Sequence, residues 1–296
     1  MEVPKFLIER NRQVDEALDR LLPGVDQRPE SIHQAMRYSI FAGGKRLRPA
    51  LCLEAGKVAG AVEQELIPLA CALEMIHTYS LVHDDLPALD NDDLRRGQLT
   101  VHKKFGEAIA ILAGDALLTR GFQILSGIDG SYPYTERRLT AMREIACAIG
   151  TVNGMIGGQV ADLEAEGKVI SADQLHYIHS SKTGALIRAS VRAGAVMGDP
   201  SESQLEALTT YGTRIGLAFQ IVDDILDMVS SREVLGKTPG KDRSERKATY
   251  PALFGLDESR QKARKLVDEA IRSLEFLGEK ADHLRELALF FVERAA

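Results

Sequence analysis

The fold of this chain is decided by the stretch GLAFQIVDDILDMV, which runs from Gly216 to Val229. Its apolar residues recur at helical spacing, which predicts a buried helix. Asp223 and Asp227 are four residues apart, about 40° around such a helix, and therefore share one face. Ionised carboxylates on a buried face are costly unless they are paired or bound to a metal. The stretch thus predicts a core helix that carries an anionic, metal-binding wall.

A second acidic cluster, HDDLPALD, runs from His83 to Asp90 at the end of another apolar stretch. Asp84 and Asp90 are six residues apart, roughly 240° around a straight helix, so a continuous helix would separate them. Pro87 removes a backbone donor and crowds the preceding turn, which predicts that the chain leaves the helix there and returns Asp90 beside Asp84. The two clusters predict carboxylate walls that face each other across a pocket, with divalent metal ions between them holding a polyanion.

The composition is that of an ordinary soluble protein. Of the 296 residues, 45% are apolar and 27% are charged, and the net charge of -6 disfavours nucleic acid or an anionic membrane as a partner. Cys52, Cys71 and Cys147 lack metal-ligand spacing, which predicts reduced thiols rather than disulfides or a zinc site. The N-terminal residues do not resemble a signal peptide, and no apolar run approaches the ~20 residues that span a bilayer. We expect a cytoplasmic protein.

Helical periodicity runs through almost the whole chain, and no segment alternates like a strand. It predicts one large all-α domain over residues 1–296. The predicted helices cover residues 4–21, 29–42, 49–59, 62–86, 106–126, 135–165, 172–197, 201–229, 257–276 and 280–294. Two irregular stretches, 87–105 and 231–248, each follow an acidic cluster and carry basic residues, which indicates lids over a metal-bound anion.

Basic residues supply candidate sites for that anion. The segment GGKRLRP, from Gly43 to Pro49, precedes a predicted helix, and backbone N–H groups at a helix start bind anions together with Lys and Arg. A capping turn with solvated charges is the alternative. Arg95 and Arg96 are a second candidate, although such a pair taken alone is typical of a surface. The stretch KTG at 182–184 lies inside a helical pattern, where glycine costs ~1 kcal/mol against alanine, so a kink that exposes carbonyls is predicted there.

Together these segments resemble the trans-isoprenyl diphosphate synthases, specifically the bacterial farnesyl diphosphate synthase (geranyltranstransferase) type. The similarity covers nearly the whole chain. The matching segments are GGKRLRP at 43–49, HDDLPALDNDDLRRG at 83–97, FGEA at 105–108, AGDAL at 113–117, GQ at 158–159, KTGAL at 182–186 and QIVDDILD at 220–227.

The resemblance implies a helical bundle around a deep central cavity, usually a homodimer. It implies a prenyltransferase that ionises an allylic diphosphate and condenses it with isopentenyl diphosphate, taking dimethylallyl and geranyl diphosphate to farnesyl diphosphate. It also implies three Mg²⁺ ions, for which Mn²⁺ can substitute.

The resemblance implies a role for each candidate residue. The metal-binding carboxylates would be Asp84, Asp85 and Asp90 on one wall, and Asp223 and Asp227, supported by Asp224, on the other. The allylic diphosphate would contact Arg95, Lys182 and Lys237. The diphosphate of isopentenyl diphosphate would contact Gly44, Lys45, Arg48, His77 and Arg96. The carbonyls near Lys182 and Thr183, with Gln220, would face the carbocation. Gln159 and Asp162 would support this wall, and Asp242 and the substrate-binding Lys247 would help a loop to close.

Product length is expected to depend on residues just before Asp84. Tyr79 lies five residues earlier, roughly 7.5 Å along the helix, and the neighbouring Ser80 is small. An aromatic at this point, with the two residues Pro87 and Ala88, is similar to the farnesyl type. The alternative is that Tyr79 is simply a core aromatic.

Rival functions remain. One is a related synthase that makes geranyl or geranylgeranyl diphosphate. Another is a class I terpene cyclase, which would not need a second diphosphate site at residues 43–49. A third is a non-catalytic regulatory subunit, which would be expected to lose carboxylates. A helical scaffold protein would leave the buried aspartates unexplained.

Overall fold

The computed structural model of the chain describes residues 3–127, 136–229 and 249–293. Their fold is a bundle of helices with one short hairpin, which confirms the all-α prediction. The helices are α1 (Lys5–Leu21), α2 (Glu30–Phe41), α3 (Leu47–Val58), α4 (Glu63–Asp84), α5 (Val101–Phe105), α6 (Glu107–Ser126), α7 (Glu136–Ile149), α8 (Met155–Ala165), α9 (Ala172–His179), α10 (Ala185–Met197), α11 (Glu202–Val229), α12 (Tyr250–Phe254), α13 (Leu256–Ser273) and α14 (Asp282–Glu293). The hairpin joins β1 (Leu94–Arg95) to β2 (Gln98–Leu99) in antiparallel register.

Three predicted segments differ from the structure. The predicted helix 135–165 is interrupted between α7 and α8, where the chain approaches itself so closely that a Cβ on Gly157 would lie 1.9 Å from the Thr151 carbonyl oxygen. The predicted helix 172–197 is α9 and α10 joined by a π-helical turn, Ser180–Gly184. The segment 87–105 contains the hairpin and α5, and the segment 231–248 lies outside the described residues.

Helix α4 lies at the centre of the bundle, buried along most of its length against α3, α6 and α10. It crosses α6 at two glycines. A Cβ on Gly114 would lie 2.2 Å from His83 Nε2, and a Cβ on Gly121 would lie 2.8 Å from Ile76 Cγ1. This close crossing fixes the end of α4, where the first acidic cluster begins.

Helices α4 and α6 are long and apolar enough to cross a membrane, which corrects the expectation that no such run exists. The most apolar window of α4 is 72% buried inside the bundle, and that of α6 is 39% buried. A core helix that packs on several neighbours satisfies the same test of length and composition.

A buried carboxylate joins α1, α3 and α14. Glu54 of α3 is 1% exposed and pairs with Arg10 of α1 at 2.7 Å and with His283 of α14 at 2.9 Å. Phe6 stacks on the His283 ring with 4.0 Å between ring centroids. Helix α3 is therefore held by both α1 and α14, and its N-terminus forms part of the site described next.

Candidate active site

The first acidic wall is built by a chain reversal after α4. The helix ends at Asp84, two residues earlier than predicted, and the Asp90 N–H donates to the Asp84 carbonyl at 2.8 Å. This bond closes the turn through Pro87 and returns Asp90 beside Asp84, which confirms the predicted break in the helix. Burial raises the pKa of Asp84 to about 6, with further repulsion from Asp90, although the Lys182 charge acts in the opposite direction. Lys182 belongs to the π-helical turn, so the two walls are within electrostatic reach of each other.

Asp85 is committed to Arg95 on the hairpin. Arg95 Nε donates to the two carboxylate oxygens at 2.7 and 2.9 Å, and Nη2 donates at 2.5 Å. Asp85 is 3% exposed, and burial raises the pKa of its carboxyl against the effect of Arg95. The bidentate pair fixes the orientation of one guanidinium at the edge of the first wall.

Arg96, the next residue, serves the basic turn at residues 43–49. It donates to the Gly43 carbonyl, and its guanidinium lies over Gly44, where a Cβ would come within 2.6 Å of Nη1. Gly43 and Gly44 have φ values of 95° and 136°, which favour glycine. Glycine at position 44 therefore permits both the backbone conformation and the close approach of Arg96.

Three basic side chains gather beside this turn. Burial lowers the pKa of Arg48 to about 10, with Glu74 and Asp223 acting in the opposite direction and Arg96 adding to the lowering. Burial and then the charges of Arg48 and Arg96 hold the pKa of His77 well below its ordinary value, so its ring is neutral. Arg48 Nε is buried without a hydrogen-bond partner among the described residues. The positive charges of Arg48 and Arg96, beside an unused buried donor, are what an anion site requires.

Arg46 and Lys45 of the same turn behave differently. Arg46 is 4% exposed and pairs with Asp15 and Glu74, each at 2.8 Å. It is therefore a structural residue that ties the turn to α1 and α4. Lys45 is exposed, with its Nζ 5.5 Å from the centre of the Phe290 ring of α14. Helix α3 begins at Leu47, two residues before the predicted start at Pro49.

The second wall combines the π-helical turn with α11. Lys182 Nζ donates to Asp162 Oδ2 at 2.7 Å, which joins the turn to α8. Thr183 Oγ1 donates to Gln220 Oε1 at 2.7 Å, which joins the turn to α11. A Cβ on Gly158 would lie 2.2 Å from the Lys182 backbone nitrogen, so α8 presses directly on the backbone of the turn.

The aspartates of α11 are not equivalent. Asp223 is half-buried, and Asp227, one turn further on, is 8% exposed. Asp224 is 4% exposed and accepts from the Tyr250 N–H at 2.9 Å and from Gln220 Nε2 at 3.1 Å. His179 lies 3.5 Å from Asp224, and burial lowers the pKa of that histidine to about 3, so its ring is neutral. Asp224 thus holds the start of α12 against the second wall.

Within the described ranges, no group of three or more His, Cys, Asp or Glu side chains lies close enough to hold a metal without other ligands. The carboxylates are instead divided between the two walls. Lys237, Asp242 and Lys247, which the sequence placed at this site, lie outside the described residues.

The sequence profile described as polyprenyl synthetase matches residues 29–287. This chain belongs to the polyprenyl synthetase family. Within the family it is 48% identical to a dimethylallyltranstransferase from Fischerella ambigua (strain UTEX 1903), over 99% of this chain and 84% of that protein. It is 47% identical to the farnesyl diphosphate synthase of Escherichia coli (strain K12), over 99% of each chain. Among solved structures, an apo FPP/GFPP synthase from Zymomonas mobilis matches with a TM-score of 0.86 and 37% identity, over 97% of each chain.

Two site residues of this polyprenyl synthetase were not found from sequence. Glu74 balances Arg46 and acts on the pKa values of Arg48 and Arg96. Its signal was present, because an acidic residue inside the apolar run of α4 needs a buried partner. His179 lies on the turn before Lys182, and a histidine in an amphipathic helix gives no such signal.

Proposed function

We propose that this polyprenyl synthetase is a farnesyl diphosphate synthase, which condenses isopentenyl diphosphate with dimethylallyl and then geranyl diphosphate and releases diphosphate. One observation carries the proposal. A single hairpin turns Arg95 to the acidic wall and Arg96 to the basic turn, so it supplies a cation to each of two anion sites. A terpene cyclase needs only one such site.

The donor set fits Mg²⁺. This ion prefers oxygen ligands and is usually held by one or two carboxylates together with water and substrate phosphates. We propose three ions, replaceable by Mn²⁺, held by Asp84 and Asp90 on the first wall and by Asp223 and Asp227 on the second. When bound, the metal neutralises the diphosphate that leaves the allylic carbon. Asp85, which we expected among the ligands, has both oxygens committed to Arg95, so we assign it the task of orienting that guanidinium.

The remaining side chains hold the two substrates in place. Arg95 and Lys182 would bind the departing diphosphate, where cations stabilise charge as the bond breaks. Arg48, His77 and Arg96, with Lys45 and the backbone of Gly44, would bind the diphosphate of isopentenyl diphosphate. Holding both reactants in this way makes their condensation effectively unimolecular.

The π-helical turn and α11 would face the carbocation. A π-helical turn displaces carbonyls from the regular helical ladder, and such turns are frequent at functional sites. The carbonyls near Lys182 and Thr183, with the Gln220 amide, would stabilise the cation, and a dry cavity would protect it from water. The proton released after condensation would pass to the departed diphosphate.

Product analysis tests the function. The purified protein is incubated with isopentenyl and geranyl diphosphates in Mg²⁺ or in EDTA, and the dephosphorylated alcohols are chromatographed. Farnesol as the end product in Mg²⁺ alone is the expected result. Geranylgeraniol would retain the mechanism and assign a longer product, whereas no condensation in Mg²⁺ would overturn the proposal.

Tyr79 is proposed to set the product length. It is 6% exposed, and its ring meets that of His83 edge-on at 5.8 Å, close to the first acidic wall. Tyr79→Ala should open space below the site and yield geranylgeraniol. Tyr79→Phe, which keeps the ring, is the matched control and should still yield farnesol. Farnesol alone from Tyr79→Ala would leave Tyr79 as a core aromatic.

We further propose a cytoplasmic homodimer that pairs through the outer face of α6. Ile111 and Leu112 on this face are 45% and 53% exposed, which is high for large apolar side chains. Sedimentation equilibrium should give twice the mass of the chain, and Leu112→Lys should shift the protein towards the monomer.

A further inference from the structure

The hairpin that carries the two arginines is too short to fix its own position. Each strand has two residues, and a two-stranded hairpin alone is marginally stable at best. Arg96 and Gly97 at its tip have φ values of 53° and 77°. Arg95 and Arg96 are adjacent in this tight turn, so a shift of the hairpin would move both guanidinium groups.

Packing beneath the hairpin is incomplete. A cavity of about 30 Å³, enough for about two water molecules, lies between the hairpin, α2 and α4. Its lining includes Tyr38, Ser39, Thr78, Asp85 and Leu99, together with Arg95 and Arg96 themselves. Atoms beside a cavity lose dispersion contacts on that side. Hydrogen bonds around the cavity therefore contribute more to holding the hairpin in place.

Thr100 ties down the base of the hairpin. Its Oγ1 donates to the Asp92 carbonyl at 2.7 Å, and His102 Nδ1 lies 3.0 Å from the same oxygen. A hydroxyl has a single proton, so His102 Nδ1 is the donor in the second bond. Thr100 thus holds the base of the hairpin, and the side of the hairpin that faces α2 needs a separate contact.

Tyr38 of α2 makes that contact. Its hydroxyl donates to the Leu99 carbonyl of β2 at 2.8 Å. Lys104 Nζ lies over its ring, 3.7 Å from the centroid, and the Phe105 ring meets it edge-on at 5.5 Å. One side chain therefore contacts the hairpin through its hydroxyl and the following helix, α5, through its ring.

We propose that Tyr38 is a positioning residue, which aims Arg95 and Arg96 at the two diphosphates without touching either substrate. The inference rests on the functions proposed above for the two arginines. It assigns part of the substrate affinity to a helix that lies outside both acidic walls and the basic turn.

The test compares Tyr38→Phe with Ser39→Ala. Tyr38→Phe keeps the ring contacts with α5 and removes only the bond to Leu99, so KM for isopentenyl diphosphate should rise about 3- to 10-fold with an unchanged unfolding midpoint. KM for geranyl diphosphate should rise with it, because Arg95 moves too. Ser39 lines the same cavity, but its hydroxyl donates to Met36 of its own helix at 2.8 Å, so Ser39→Ala should leave both KM values unchanged.

A double-mutant cycle with Arg96→Ala tests whether Tyr38→Phe changes KM through Arg96. If Tyr38 acts through Arg96, Tyr38→Phe adds little to KM for isopentenyl diphosphate once Arg96 is absent. Multiplying effects, or unchanged KM values in Tyr38→Phe itself, would overturn the inference. An unchanged KM in Arg96→Ala would instead remove the proposed function of that arginine, and with it the basis of the inference. A lower unfolding midpoint with unchanged KM would make Tyr38 a purely structural residue.

Discussion

The two acidic walls share a sequence pattern but are built on different backbones. The first wall needs a helix end and a reversal, closed by the 2.8 Å bond between the Asp90 N–H and the Asp84 carbonyl. The second lies on one continuous helix, α11, with Asp223 and Asp227 one turn apart. Helical hydrogen bonds fix the spacing of the second wall, whereas the first depends on whatever packs against its turn. The geometry of the second motif is therefore fixed by its own helix, whereas that of the first also depends on residues outside the motif.

The walls agree in how they use the second aspartate of each pair. Asp85 holds the guanidinium of Arg95, and Asp224 holds the Tyr250 N–H at the start of α12. Asp85 and Asp224 are both buried, whereas their neighbours Asp84 and Asp223 are half-buried. This difference supports our proposal that each pair combines one metal ligand with one residue that supports the wall.

The largest expected effect separates the members of the first pair. Asp84→Asn should lower kcat about 10³-fold, because a lost metal ligand removes several kcal/mol of charge stabilisation. Asp85→Asn should cost about 10- to 100-fold, the usual cost of losing an orienting partner. Asp93→Asn, at an exposed carboxylate of the same segment that pairs with Lys103, is the control and should be near neutral. The measurement is steady-state kinetics at saturating Mg²⁺. Equal losses of kcat in the Asp84 and Asp85 variants would contradict the different roles assigned to these two residues.

A smaller effect is expected where α8 presses on the second wall. Gly158→Ala would place a Cβ 2.2 Å from the Lys182 nitrogen and displace the π-helical turn. A shift of about 1 Å in a positioning element can cost about 10²-fold, so kcat should fall by 10- to 100-fold. Glu164→Ala, at an exposed position of the same helix, should have no effect. Wild-type kcat in Gly158→Ala would show that the position of the turn does not govern the reaction.

The last prediction concerns acid stability and involves only the second wall. The pKa of His179 is lowered from 6.5 to about 3 in the folded protein. As pH falls below 6.5 the unfolded chain binds a proton that the folded chain rejects, so stability is lost, by up to about tenfold in the unfolding constant per pH unit. The His179→Gln variant has no imidazole at this position to bind the proton. Its urea midpoint should therefore fall less steeply than that of wild type between about pH 6.5 and 4.5. Parallel slopes would contradict a buried neutral ring.

The sequence predicted what depends on local pattern. The helical class, the reversal at Pro87 and the shared face of Asp223 and Asp227 follow from periodicity and from the geometry of proline, and the structure has all three. The interruption between α7 and α8, where Gly157 closely approaches Thr151, does not show in the apolar pattern. Apolar spacing on either side of that break continues in phase.

The other features that the sequence did not predict depend on distant partners. Arg46 and Arg48 are two residues apart in one basic turn, and nothing in the pattern distinguishes them. They differ because Arg46 meets Asp15 and Glu74, which are 31 and 28 residues away along the chain. The commitment of Asp85 to Arg95 likewise depends on the hairpin, whose placement no periodicity encodes.

The pairing of Glu54 with both Arg10 and His283 has a consequence for the order in which the enzyme is made. Helix α3 carries both Glu54 and Arg48. The residues that pair with Glu54 therefore help to fix the position of Arg48. Until α14 has left the ribosome, Glu54 lacks its partner His283, and Lys45 lacks the Phe290 ring that it faces. We therefore expect a nascent chain that ends before α14 to bind isopentenyl diphosphate poorly, so that affinity for substrate appears only late in translation.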